Sequence, residues 1–210
     1  SKKPLIVLGE SFLKSKSADY LFYSIKKFLF ENKKFLNDWN PLNILSTDAS
    51  TVGSFDLDIV DQSNKIFSDL KENKFEIIYL LGRDDLSFVK KNEFIIYQGS
   101  HGDKGAEIAD IILPGAAYTE QSAHYTNLEG KVQKAFKASY PPGNAKEDWQ
   151  IINEIAEIMN NRKLFNDKDE LESSMFNYLQ LKKEKQNEIF IQNIELKEFE
   201  NEGLKVKFKD

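Results

Sequence analysis

His101 and His124 are the only histidines in the 210-residue chain, so acid–base or metal chemistry near neutral pH would start from them. A zinc centre needs further ligands at short, regular spacing, and none stands so placed around either residue. His124 has Glu120 and Glu129 within reach along the chain, and the expectation for it is a polar contact in a loop. A Ser-His-Asp triad has no Gly-x-Ser-x-Gly elbow to support it. Glu120 and Glu129 are the nearest approach to an acid/base pair, but nothing around them suggests a substrate pocket, and solvated or salt-bridged carboxylates are the simpler reading. The segment Gly99-Ser100-His101-Gly102-Asp103-Lys104-Gly105 could turn backbone N–H groups toward an anion. It matches neither a P-loop nor the Gly-x-Gly-x-x-Gly dinucleotide fingerprint, and Gly9-Glu10-Ser11 has a single glycine. The expected role of the 99–105 segment is therefore a glycine-permitted turn at the carboxyl edge of a sheet. No catalytic, cofactor-binding or metal-ligating residue is assigned.

The elements that would position these residues follow from apolar periodicity. Pro4–Gly9, Leu42–Leu45, Phe75–Gly82, Phe94–Tyr97 and Ala109–Leu113 are short apolar runs of strand length. Ser17 offers an N-cap, with Asp19 in the first turn, to a helix carrying Ala18, Leu21, Phe22, Ile25, Phe28 and Leu29. Ile66, Phe67 and Leu70 predict a short helix. Pro141-Pro142-Gly143 punctuates the entry to another, for which Asn144 and Glu147 resemble a capping box and Trp149, Ile152, Ile155, Ala156 and Met159 form a stripe. Ile-rich strands separated by helices predict an α/β fold: a Rossmann-like, mostly parallel sheet with helices on both faces. The expected organisation is an α/β domain over residues 1–160 and a charged helical and extended tail over 161–210. A helix around Leu171–Leu179 either covers the domain's own sheet edge or packs on another subunit. An extended arm is expected beyond Ile194. Asn127, followed by Leu128 and Glu129, is no glycosylation acceptor.

Composition excludes several functions. With no cysteine there are no disulfides, thiol nucleophiles or thiolate-ligated iron–sulfur clusters. A net charge of −5 argues against nucleic-acid binding. No apolar run approaches the roughly 18–20 residues needed to span a bilayer, so any membrane association would run through other proteins. Arg occurs only at Arg83 and Arg162 amid abundant Lys, Asn, Ile and Phe, a bias of AT-rich genes. No Arg-rich presequence or secretory signal opens the chain, and Ser1 points to a processed, truncated or continued start.

Several motifs carry a resemblance in the right order. They are Asn43-Ile44-Leu45 with Ala49-Ser50-Thr51-Val52-Gly53, then Ile96-Tyr97-Gln98-Gly99, His101-Gly102-Asp103 and Gly105-Ala106. Ala109-Asp110-Ile111-Ile112-Leu113-Pro114, Asn127-Leu128-Glu129-Gly130-Lys131-Val132-Gln133 and Asp148-Trp149 follow. Together they resemble the molybdopterin-oxidoreductase-like domain in the large iron–sulfur subunit of respiratory complex I. Catalytic molybdopterin enzymes share the later motifs but usually carry a Thr/Glu-bearing loop at the position of His101-Gly102-Asp103. Beyond Phe199 the chain departs from the family's usual run.

The resemblance implies a cofactor-free structural subunit, or split fragment, of the peripheral arm of complex I. It would support the iron–sulfur chain that carries electrons from NADH to ubiquinone, and would have no catalytic residue of its own. The clusters would sit on a neighbouring polypeptide completing the same subunit, at the matrix side of the mitochondrial inner membrane or the cytoplasmic face of a bacterial one. The alternative implied by the same motifs is the cofactor-binding part of an active molybdopterin-dependent oxidoreductase.

Overall fold

The computed structural model describes residues 1–13, 15, 17–49, 51–61, 65–86 and 88–185. Ser1–Asp48 belongs to one compact unit and Ala49–Glu184 to a second. The first contains β1 (Ile6–Gly9), α1 (Glu10–Leu13), α2 (Ala18–Glu31) and β2 (Leu42–Leu45). β1 and β2 pair in parallel, Ile6 against Leu42 and Gly9 against Leu45, with the helices as the crossover that parallel pairing requires. Ser17 occupies the N-cap of α2 as expected, but its side chain does not cap; its carbonyl accepts the Leu21 N–H at 3.0 Å. At the other end Lys33 takes the left-handed conformation (φ 54°) and the Lys34 N–H returns to the Leu29 carbonyl at 2.9 Å, closing the helix as a Schellman motif does. Leu29, 1% exposed, anchors α2. Trp39 Nε1 donates to the Pro4 carbonyl at 2.7 Å, tying the start of the chain to the segment before β2.

The second unit contains α3 (Thr51–Asp56), α4 (Ile66–Lys71), β3 (Ile77–Leu81), β4 (Phe94–Gly99), α5 (Lys104–Ile108) and β5 (Ile111–Pro114). It continues with β6 (Ala123–Thr126), β7 (Val132–Ala135), α6 (Asp148–Asn160) and α7 (Lys168–Lys185). β3, β4 and β5 form a parallel sheet in that order, with Ile77 beside Phe94 and Ile96 beside Ile111. Central placement buries β4: Ile95 is 0% and Tyr97 2% exposed. With Leu80 they form a core against Leu86, Phe88, Ala106 and Ile108. The parallel α/β class expected from the apolar runs is thus realised, with a helical segment, α7, following it. Among the described residues the strands divide into sheets of two, three and two.

The two-stranded sheet β6–β7 is antiparallel and was not anticipated. Its signal was the turn: Asn127 Oδ1 accepts the N–H groups of Glu129 and Lys131 at 3.0 and 2.9 Å, and Gly130 is left-handed at φ 76°, a closure of the Asx type.

Two expectations about α6 are corrected. The capping box uses Glu147 and Gln150, not Asn144 and Glu147. Lys146 is engaged as an isolated bridge to Gly115, with its carbonyl accepting the Ala116 N–H at 2.8 Å, so the backbone there is extended and the helix starts three residues later than expected. The buried side of α6 also differs: Ile151 and Asn153 are buried, while Ile152 is 41% and Met159 75% exposed. Asn153 Oδ1 accepts the N–H groups of Leu164 and Phe165 at 2.8 and 3.0 Å, and this draws a polar residue inward that hydropathy counts as surface. The arm expected beyond Ile194 lies outside the described residues. Among those residues no helix is long and apolar enough to cross a membrane.

Candidate functional site

Ligands of parallel α/β sheets bind outside the carboxyl ends of the strands. In β3–β4–β5 that edge is where the Gly99–Gly105 segment lies, between the end of β4 and α5. The ring of Tyr97 leans along β4 over it. A Cβ placed on Gly99 would fall 2.4 Å from the Tyr97 hydroxyl, and one on Gly105 would fall 2.5 Å from the ring and 2.7 Å from the Arg83 carbonyl. Neither glycine has a positive φ, so both are required for close approach rather than for a turn conformation. The Tyr97 hydroxyl reaches Asp84 Oδ2 at 3.0 Å and the His101 carbonyl at 3.2 Å. Asp84 Oδ1 accepts the Gly105 N–H at 2.9 Å. Burial first, and then the Asp84 carboxylate, push the Tyr97 phenol up to about 12.

At the start of α5 the backbone donors that an anion would use are already engaged. The N–H groups of Gly105, Ala106 and Glu107 in α5 are bonded to Asp84 or to the Asp103 carbonyl. Asp84 and Asp103 place negative charge at the edge, the Tyr97 ring fills the space beside the glycines, and α5 is only five residues long.

On the opposite face of β4 lies a buried polar network. Gln98, 0% exposed, donates Nε2 to Asp148 Oδ1 at 2.7 Å and accepts from the Tyr79 hydroxyl. Gln121 Nε2 donates to Asp148 Oδ2 at 2.8 Å, and its Oε1 accepts the Asp148 N–H at 3.2 Å. Burial, followed by the Asp148 charge, raises the Tyr79 phenol. Gly115 belongs to the same assembly, since a Cβ there would lie 3.0 Å from Asp148 Oδ1. The network ties β3, β4 and α6 together. The signal for it was a glutamine closing an apolar run.

The predicted candidates are dispersed. His101 is exposed in the loop, its Nδ1 2.9 Å from Ser100 Oγ. His124 is not in a loop but on β6, edge-on to Phe176 at 5.4 Å between ring centroids. Glu120 accepts the Ala117 N–H at 3.0 Å, while Glu129 is exposed in the hairpin turn, and they form no pair. Gly9 ends β1, and Glu10 Oε2 accepts the Thr47 N–H at 2.8 Å. Among the described residues no group of three or more His, Asp or Glu could hold a metal ion.

Glu147 is the residue that sequence reasoning undervalued. Besides capping α6, it binds Lys168 of α7 and Lys137, and accepts from Trp149 Nε1 at 3.2 Å. Burial alone would raise its carboxyl, but Lys168, Lys137 and Trp149 together hold it below the usual value. Nearby, α7 and the β6–β7 hairpin border a hollow of about 620 Å3 lined by Leu57, Ile59, Trp149, Phe165 and Met175. The charged groups at its wall are internally paired: Lys168 with Glu147, Glu172 with Lys134, and Asp148 with Gln98 and Gln121.

Comparison with known proteins places the chain in a family. The Molybdopterin oxidoreductase family profile matches residues 1–158. The chain is 45% identical over 166 residues to the NADH-ubiquinone oxidoreductase 75 kDa subunit of Reclinomonas americana, covering 77% of this chain and 24% of that protein. It is 41% identical over 170 residues to the mitochondrial 78 kDa subunit of the same enzyme from Candida albicans, covering 80% and 23%. It is 37% identical over 179 residues to the mitochondrial 78 kDa subunit from Neurospora crassa, covering 83% and 24%. The chain spans about a quarter of the length of these curated relatives. The chain belongs to the molybdopterin oxidoreductase family and is homologous, over most of its length, to the 75/78 kDa subunit of NADH-ubiquinone oxidoreductase.

Proposed function

We propose that this chain is a cofactor-free structural part of the peripheral arm of respiratory complex I. It supports an iron–sulfur chain held by a neighbouring polypeptide and contributes no catalytic, cofactor-binding or metal-ligating residue of its own. Residues 1–160 supply the family domain and residues 161–210 an appendage to it. The mitochondrial relatives favour the mitochondrial inner membrane, matrix side, as its place of work.

The observation that carries this reading is the carboxyl edge of β3–β4–β5. Tyr97 fills the space that Gly99 and Gly105 leave open, and Asp84 takes the Gly105 N–H that an anionic ligand would need. The zero cysteine count keeps cluster ligation elsewhere.

Native electrophoresis of the source membranes tests the proposal. The chain is expected to co-migrate with NADH-oxidising activity, in a band without stoichiometric molybdenum or tungsten. Migration away from that activity would refute the assignment to complex I. Stoichiometric molybdenum or tungsten traced to this chain would instead favour an active molybdopterin enzyme.

A further inference from the structure

The two faces of the β3–β4–β5 sheet meet different surroundings. Side chains alternate along each strand, so Ile78, Leu80, Ile95 and Tyr97 share the face that forms the core. The other face carries Ile77, Tyr79 and Leu81 of β3, Phe94 of β4 and Ile111 of β5, which are 62%, 38%, 52%, 42% and 44% exposed. The register sets Ile77 beside Phe94 and Ile96 beside Ile111, so these residues form a contiguous apolar surface. Among the described residues of this unit, α6 covers part of this face, meeting Gln98 toward the strand's carboxyl end through Asp148.

Parallel sheets are normally covered on both faces, and a contiguous apolar patch marks an interaction surface. None of the five residues is charged, so the patch fits an apolar partner held permanently, in an interface resembling a divided core. The relatives indicate where that partner comes from. This chain corresponds to 24% of the 75 kDa subunit and 23% of the 78 kDa subunit, so most of the family polypeptide lies outside the matched stretch.

We propose that the bare face of β3–β4–β5 is the docking surface for the part of the family polypeptide that this chain does not match. The inference rests on the complex I reading for the identity of the neighbour, and assigns that neighbour a position on this chain.

Photo-crosslinking in the native assembly tests it. A benzophenone amino acid is placed at Ile77 or at Ile111, with Glu129 in the exposed hairpin turn as control, and adducts are identified by mass spectrometry. The expected result is that both test positions capture a sequence similar to the unmatched part of the 75 kDa subunit, and the control does not. Adducts confined to these 210 residues, adducts only to unrelated proteins, or no adduct at all would overturn the proposal. Ile77→Glu gives a second reading: the chain should leave the assembly with its β4 amides still protected from hydrogen exchange, and full retention in the assembly would count against the docking face. The two proposals fail separately. Co-migration with NADH oxidation but capture of something else sinks only the docking face. Capture of the family polypeptide in an assembly without NADH oxidation sinks only the complex I assignment.

Discussion

Tyr97 and its two glycines govern the carboxyl edge of the parallel sheet, and each glycine responds to a different obstacle. Gly99→Ala should destabilise the purified chain by about 1–3 kcal/mol through overpacking against the Tyr97 ring. In a Tyr97→Ala background the same change should cost little, because the three atoms nearest to that Cβ all belong to the Tyr97 side chain. Gly105→Ala should remain costly in both backgrounds, since the Arg83 carbonyl at 2.7 Å stays in place. Urea denaturation of the four single and double variants, with Tyr97→Ala as reference, reads the coupling; equal costs in both backgrounds for Gly99→Ala would contradict the packing argument. The raised Tyr97 phenol makes a pH prediction of definite sign. Its stabilisation is complete below the unfolded value of 10.0 and is lost as pH rises through about 12. Tyr97→Phe should therefore flatten this alkaline decline in denaturation midpoints measured against pH. From the sequence, the glycines of this loop were legible as permissive and the loop as lacking a phosphate fingerprint. Their need for space was not, because it arises from a side chain that folds back over them.

At the scale of elements, α7 is held by charged contacts to three other parts of its unit. Lys168 Nζ reaches Glu147 and, at 2.7 Å, the Ser122 carbonyl. Glu172 pairs with Lys134 of β7 at 2.7 Å. Asp58, just beyond α3, accepts from the Tyr178 hydroxyl at 2.6 Å and pairs with Lys182 at 2.7 Å. Leu171, Met175 and Leu179 make a narrow half-buried stripe, which leaves much of the attachment to these contacts. All three carboxyls lie below their usual values: Asp58 through Lys182 and Tyr178, Glu172 through Lys134, and Glu147 through its lysines against the opposing effect of burial. Depressed carboxyls stabilise the folded state above their unfolded values and lose that contribution as pH falls through the folded ones. Hydrogen exchange, corrected for its intrinsic pH dependence, should therefore show α7 losing protection below about pH 4 while β4 keeps it. Simultaneous loss in both elements would argue against a separately held α7. The helix itself was legible from Leu171, Met175, Tyr178 and Leu179. Its partners were not: they lie on the hairpin and beyond α3, and no periodicity reports them.

At the scale of the whole molecule, the described ionisable groups Glu147, Glu172 and Asp58 tie separate elements together through Lys168, Lys134 and Lys182. A strong chelator should leave the thermal midpoint of the purified chain unchanged, since among the described residues no group of His, Asp and Glu could hold a metal ion. A drop of several degrees, restored by adding a divalent metal, would reveal a ligand set built otherwise. The amino-acid sequence by itself determined the α/β class, five of the seven strands among the described residues, and the family. Apolar runs and ordered motifs are local properties, and the absence of cysteine is a chemical fact independent of folding. Only the tertiary structure decided what the motif residues do. Gln98 meets Asp148 across 50 positions and Tyr178 meets Asp58 across 120. The physical reason is that burial and hydrogen-bond partnership depend on which distant segments are brought together, and a strand's own alternation distinguishes its two faces without saying what covers either one.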